Sequence, residues 1–321
     1  MRVFAIPMRT RFRGVTRREG ALVRGPAGWG EFSPFPEYGP AECARWLAAA
    51  YEAAEQGWPE PRRTRIPVNV TVPAVGPDAA HAIVRGSGCR TAKVKVAEPG
   101  QDAGEDLARV EAVRDALGPG GRVRVDANGA WDPGTAVRMI KALGELEYAE
   151  QPCATLDELA EVRRRVDTPV AADESIRRAE DPLRVRAADA ADIVVLKVQP
   201  LGGVRAALAV AEACGLPVVV SSAVETSVGL AAGLALAAAL PELPYACGLA
   251  TMSLLEGDVV REPLVEVDGV IEVRRPEVDE EALSRYEIDG AGWRRRGEQA
   301  QAQAELSALA ALSSRRPGVA S

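Results

Sequence analysis

From about residue 66 the chain repeats one pattern. Short runs of valine, isoleucine and alanine give way to longer alanine-rich stretches whose apolar residues recur at helical spacing. The strand-like runs are IPVNVTVPA, TAKVKVAE, RVRVDANGAW, EYAEQPC, TPVAADES, ADIVVLKVQP, LPVVVSSAVE and YACGLAT. Between them lie helical runs such as DAGEDLARVEAVRDAL, DPGTAVRMIKALGEL, TLDELAEVRRRV and GGVRAALAVAEACG. Asp132 before Pro133, and Thr155 before its run, stand where helix N-caps belong, and the glycine in EACGLP stands where a helix stops. GPGGRV, at 118–123, follows a helix and precedes a strand. That is the wrong order for a phosphate loop, so it reads as a turn. Repeated strand–helix alternation predicts a parallel sheet, and eight strands predict its closure into a (β/α) barrel. An open doubly wound sheet is the alternative.

The flanks break the pattern. The first 60 residues read as antiparallel strands followed by a helix pair. The tail carries the strand-like PLVEVDGVIEV, then a charged, partly helix-prone segment whose end is expected to be disordered. Residues 1–62, with about 255–321, are expected to form a second α+β unit packed on a barrel spanning 63–254.

Charges interrupt the strand runs at ordered places. Alternate strand side chains share a face, so Lys93 and Lys95 point one way and Val94 and Val96 the other. Both faces of a parallel barrel strand are covered, and a dry, unpaired lysine pair would be costly. Asp126, Glu150 and Asp173 each end a strand run, and Lys197 follows another. The steps between them are 24, 23 and 24 residues, about one strand–helix unit each. Successive strands thus deliver Asp, Glu, Asp and Lys to one rim, where barrel active sites are built. Three converging carboxylates repel one another unless a cation neutralises them. All-oxygen ligands with open positions suit Mg²⁺, with Mn²⁺ as a substitute. Lys95 and Lys197 belong to strands on opposite sides of the barrel, so a substrate on the metal lies between them. A nearby cation, a second ammonium and desolvation all lower a lysine's pKa, toward the range of a general base.

Composition narrows the chemistry further. The 321 residues are 47% hydrophobic and 26% charged, an ordinary soluble balance, and the net charge is −7. That charge argues against nucleic acid or an anionic membrane as the main partner and leaves a small molecule. Cys43, Cys89, Cys153, Cys214 and Cys247 are odd in number and far apart. They read as reduced, buried thiols of a cytoplasmic protein. The opening MRVFAIPMRTRFRG lacks signal-peptide features. VGLAAGLALAAALPELP is too short for a membrane span and reads as a buried helix ended by Pro241. The single histidine, His81, lies in an apparent surface helix. Multi-histidine zinc sites therefore fail, and acid–base work falls to lysines and carboxylates. Nothing in the pattern requires more than a monomer.

KVK, VDANGAW, EYAEQP, AADES and VLKVQPLGG, in this order, resemble the enolase superfamily, and within it the muconate-lactonizing subgroup with lysines on both sides of the substrate. GWGEFSPFPEY is similar to that family's capping-domain signature and SSAVETSVGL to its seventh-strand segment, so the resemblance covers nearly the whole chain. It implies an α/β fold: a (β/α)7β TIM-like barrel under an α+β capping domain. It further implies Mg²⁺ on Asp126, Glu150 and Asp173, Lys95 as base, Lys197 on the opposite face and Lys93 tuning Lys95. The implied chemistry is abstraction of a proton α to a carboxylate. Within the subgroup the resemblance points to a lyase that dehydrates a succinyl-substituted hydroxycyclohexadiene carboxylate to an aromatic acid for menaquinone synthesis. N-succinylamino acid racemisation at the same Lys/Lys site is the alternative, and a non-catalytic barrel the remote one. Ser221, Ser222 and Arg13 are candidate substrate contacts. In RTRFRG, Arg9 and Arg11 also suit a dianion. Asn128 and Glu225 are expected behind the metal ligands.

Overall fold

In the computed structural model, which describes residues 1–178 and 183–314, the first three strands pair antiparallel. They are β1 (Arg2–Phe12), β2 (Val15–Gly25) and β3 (Gly28–Phe32), in spatial order β1-β2-β3. RTRFRG forms the end of β1 and its turn into β2. Helix α1 (Pro40–Tyr51) follows, and runs into a π-helical turn at Glu52–Gln56. A side chain at Gly30 would collide with the carbonyl of Ala50, so glycine there lets β3 lie directly against α1.

The repeat then unfolds as the hydrophobic pattern dictates. It runs β4 (Arg65–Val72), α2 (Pro77–Ser87), β5 (Thr91–Lys95), α3 (Ala103–Leu117), β6 (Arg122–Asp126), α4 (Pro133–Leu143) and β7 (Tyr148–Glu150). It continues with α5 (Leu156–Arg163), β8 (Val170–Ala172), the short α6 (Glu174–Arg178) and α7 (Leu183–Ala187), then β9 (Ile193–Leu196) and α8 (Val198–Leu201). It closes with α9 (Val204–Cys214), β10 (Val218–Val220), α10 (Ser227–Ala239) and β11 (Cys247–Ala250). Asp132 and Thr155 cap α4 and α5, each accepting from a backbone N–H of the first turn. Gly215 ends α9 in the left-handed conformation at φ +60°. The segment 118–121 is a turn.

Strands pair in parallel in the order β10-β9-β8-β7-β6-β5-β4-β11, and a parallel bridge between Ser221 and Gly248 joins the two ends. The sheet is therefore a closed eight-strand barrel, and the open alternative is excluded. α10 is buried on every side, as its unbroken apolar run requires. Among the described residues no helix is long and apolar enough to cross a membrane.

The tail serves both parts of the molecule. β12 (Val270–Glu272) pairs antiparallel with barrel strand β4. After α11 (Glu280–Tyr286), the long α12 (Ala291–Ser314) packs against α1. The expected disorder at the chain's end concerns residues 315–321, outside the described ones.

Inside the barrel the side chains form layers. Lys93 pairs in register with Arg124, and Arg124 with Tyr148; two residues further on, Lys95 pairs with Asp126, and Asp126 with Glu150. The lower layer is fully buried. Arg124 donates to Glu147 at 2.5 Å, to Asn69 at 3.0 Å and to the Ala246 carbonyl at 2.7 Å, which compensates much of the cost of burying a guanidinium. The upper layer is the rim.

Candidate active site

Register explains the upper layer. Three adjacent strands end in one transverse row, Lys95–Asp126–Glu150, and Asp173 and Lys197 lie one residue beyond β8 and β9. All five, with Lys93, are buried. The lysines hold the acids. Lys95 Nζ lies 2.6 Å from Asp126 Oδ2, Lys93 Nζ lies 2.7 Å from Glu150 Oε1 and 3.3 Å from Asp126 Oδ2, and Lys197 Nζ lies 2.5 Å from Asp173 Oδ2. Lys95 Nζ also donates to Asn128 Oδ1 at 2.6 Å and stands 5.2 Å from the centre of the Phe12 ring.

Loops just past the strands carry backbone strain. Asn128, Gln151 and Val224 have φ of +48°, +39° and +61°, left-handed values that cost non-glycine residues energy and persist only when neighbours fix them. Asn128 is fixed from two sides: its N–H donates to Asp126 Oδ1 at 3.0 Å and its Nδ2 to Glu174 Oε1 at 3.2 Å. Gln151 Oε1 accepts the amides of Asp173 and Ser175 at 3.0 and 3.2 Å, so it ties one rim loop to the next.

At Lys93 the neighbouring acids decide the sign. Burial opposes its charge, in line with the sequence pattern, but the carboxylates of Glu150 and Asp126 outweigh burial and hold its pKa above the ordinary range. The lowered lysine pKa expected from the sequence rests on a nearby cation; here the acids themselves hold Lys93 up. At Asp126 burial is likewise overcome, here by Lys95 and Lys93, and the carboxyl is held well below its usual range. Glu150, between Asp126 and Asp173, moves the other way: burial and the negative charges of those two acids push it up, against the pull of Lys93.

The fit of a cation can be judged on these groups. Among the described residues no three His, Cys, Asp or Glu side chains stand grouped to hold a metal ion, and ammonium groups bind the rim acids. Yet Glu150 Oε2 is buried without a hydrogen-bond partner, and Glu150 is repelled by acids on both sides. A hard divalent cation answers both conditions, and all three donors are carboxylate oxygens. The donor set fits Mg²⁺, provided the lysines yield their contacts.

A recess opens over the row. Its walls are Lys93, Lys95, Asp126, Asn128, Lys197 and Thr71 from the first six barrel strands and their ends, Ser221, Ser222, Ala223, Val224, Gly248 and Thr251 from the last two, and Phe12, Arg13 and Phe35 from the N-terminal sheet and its following loop. The expected contacts Arg13, Ser221 and Ser222 all line it. Arg9 donates instead to the Leu255 carbonyl at 3.0 Å, and Arg11 is exposed. Glu225 accepts the Ala223 amide at 2.8 Å. Thr71, Thr251, Phe12 and Phe35 escape a reading of the sequence, since neither charge nor spacing marks them. Gln151 and Glu174 are findable, as each directly follows a rim acid. His81 lies on α2 beside Asp115 at 3.3 Å, away from the recess, and all five cysteines are buried thiols outside any disulfide.

This geometry has close parallels. A model described as enolase C-terminal domain-like matches residues 77–277, and one described as enolase N-terminal domain-like matches residues 3–54. The o-succinylbenzoate synthase of Thermobifida fusca (strain YX) is 74% identical over 297 residues, covering 92% of this chain and 94% of that protein. That of Mycobacterium tuberculosis (strain ATCC 25618 / H37Rv) is 58% identical over 281 residues, covering 86% and 85%. Among solved structures, the muconate lactonizing enzyme of Pseudomonas fluorescens superposes with a TM-score of 0.78 at 23% identity, over 89% of this chain and 97% of that one. The N-succinyl Arg/Lys racemase of Bacillus cereus reaches 0.75 at 20%, over 90% and 99%. These structures share the fold: a TIM-type barrel beneath an N-terminal antiparallel sheet. On the identity and coverage of its relatives, the chain belongs to the enolase superfamily and, within it, to the o-succinylbenzoate synthase family.

Proposed function

We propose that the protein is a lyase that converts 2-succinyl-6-hydroxy-2,4-cyclohexadiene-1-carboxylate to o-succinylbenzoate by syn dehydration, supplying an aromatic precursor for menaquinone. The observation that carries this reading is the recess itself, with Lys95 and Lys197 both in its walls and three strand-end carboxylates beneath. The 74% identical relative bearing the synthase name supports dehydration over racemisation.

In this reading Asp126, Glu150 and Asp173 would hold Mg²⁺, with Mn²⁺ as a substitute. The bound ion supplies positive charge that lowers the cost of negative charge developing on the substrate carboxylate. Lys95 Nζ, released from its contact with Asp126, takes the proton α to that carboxylate. Because the elimination is syn, the same ammonium stands on the face from which hydroxide departs, and it returns the proton to release water. Lys197, on the opposite face, stays protonated and stabilises the developing charge. Lys93 holds Glu150 and Asp126 in place, and Asn128 orients Lys95. Ser221, Ser222 and Arg13 contact the succinyl and carboxylate groups, and Glu225 braces the loop behind them. The free space in the recess is about 30 Å³, room for about one water, so its walls must open for a ring to enter. In this reading residues 1–62, with about 255–321, form the cap, and 63–254 the catalytic barrel.

The test is direct. The purified protein with Mg²⁺ and the cyclohexadiene substrate should form o-succinylbenzoate, followed by its ultraviolet absorbance. A folded protein that gives no product above the uncatalysed rate refutes the proposal.

A further inference from the structure

Two charged side chains of the N-terminal sheet reach across to the barrel. Arg18 on β2 and Glu31 on β3 are each only 2% exposed. Arg18 Nε donates to the carbonyl of Val224 at 3.0 Å, Nη1 to that of Glu19 at 3.1 Å, and Nη2 to the hydroxyl of Ser33 at 3.2 Å and to its carbonyl. Its guanidinium carbon lies 4.4 Å from the centre of the Phe35 ring, one wall of the recess. Glu31 accepts from the hydroxyl of Ser33 at 2.6 Å. At the first turn of α10 it accepts from Thr226 Oγ1 at 2.5 Å, Thr226 N at 3.1 Å and Gly229 N at 3.1 Å.

Between these two anchors runs the short loop from Ser221 to Thr226. Val224, at its centre, is β-branched with φ +61°, a conformation that costs about 1–3 kcal/mol and needs outside support. Arg18 supplies that support at the Val224 carbonyl, and Ser222 Oγ accepts the Val224 amide at 2.8 Å. Stability alone does not call for charges here, since buried ionic groups are often replaceable by apolar ones without loss. Directed donors and acceptors add something burial does not: a fixed orientation of the loop.

We propose that Arg18 and Glu31 are positioning residues, a clamp from cap to barrel that sets the Ser221–Val224 wall of the recess against Lys95 and Lys197. The clamp acts on the dehydration site only if that reading of the recess holds, so its test carries a readout independent of turnover. In the full-length protein, Glu31→Ala removes the acceptor and Glu31→Gln keeps one. Hydrogen exchange at the Thr226 and Gly229 amides should quicken by about 10-fold or more in Glu31→Ala, while the β5 and β6 amides keep their wild-type rates. The kcat/KM per folded molecule should fall by about 10-fold, with Glu31→Gln within about 3-fold of wild type. Arg18→Met should lose kcat/KM similarly, and it decides the matter if Glu31→Ala does not fold. A folded Glu31→Ala with wild-type exchange at those amides, or with a lowered Tm and unchanged kcat/KM, overturns the proposal. Absence of turnover in the wild type would sink the activity reading, and the exchange rates would still decide the clamp.

Discussion

Two sets of buried charges shape this molecule, and they are satisfied in different ways. On the barrel rim each lysine faces a carboxylate at 2.5–2.7 Å, cation against anion. In the clamp, Arg18 and Glu31 are buried as deeply but are bound by carbonyls, hydroxyls and backbone amides. In the proposed mechanism the rim charges change partners, each ion pair giving way to a metal–carboxylate contact and a released lysine. Clamp charges have no such exchange, because their partners are neutral carbonyls, hydroxyls and amides of β2, of two loops and of a helix start. On the proposed reading, one set reacts and the other holds.

That contrast can be broken by experiment. Removing the divalent cation with EDTA should lower turnover by about a thousandfold or more, and Mg²⁺ should restore it, since carboxylate-bound cations supply much of the charge stabilisation in such sites. Steady-state rates before and after dialysis check this, and an undiminished rate would remove the metal from the account. Next in size, Lys197→Ala should lower kcat by about 10²–10³-fold, the usual cost of losing one preorganised charge stabiliser. A loss of under tenfold would reduce Lys197 to a spectator.

The clamp predicts a pH effect of the opposite kind, on stability and not on chemistry. Burial, opposed by the Ser33 and Thr226 hydroxyls and by Arg18 and reinforced by Glu225, pushes the Glu31 carboxyl up to about 7. A carboxyl raised in the folded state binds its proton more tightly there than in the unfolded chain. Its stabilising share is complete below about pH 4.5 and is lost as pH rises through about 7. The stability of wild type relative to Glu31→Gln should thus fall by about 3 kcal/mol between pH 4.5 and 8, as read by urea unfolding. A flat difference would contradict the buried-acid assignment. Smallest of all, His81→Gln should change stability by under about 0.5 kcal/mol and leave kcat unaltered, since its contact with Asp115 is at the surface. A larger loss would show that the only histidine is more than a surface residue.

The two sets also differ in how far the sequence reveals them. Rim residues sit at strand ends one repeat apart, and the period-2 pattern fixes which face each side chain takes. Lys95, Asp126 and Glu150 can therefore be placed in one row from the order of residues alone. The barrel's eight strands are legible for the same reason. Arg18 and Glu31 bond to residues 206 and 195 positions away, and no local pattern encodes a contact at that distance. The direction of the Lys93 shift is not legible, because spacing shows that charges converge but not which pair comes closest. Nor is the role of β12, because PLVEVDGVIEV shows a strand but not the strand it joins.

The central claim is that Lys95 is the base that starts the dehydration. The most direct test is the rate of o-succinylbenzoate formation by Lys95→Ala. Lys93 remains 3.3 Å from Asp126, so that acid keeps a cationic neighbour and the variant should fold. The account predicts a kcat lower by about 10³-fold or more, within the range lost with a general base, and an unfolding midpoint near that of wild type. Turnover within about tenfold of wild type by the folded variant would contradict it.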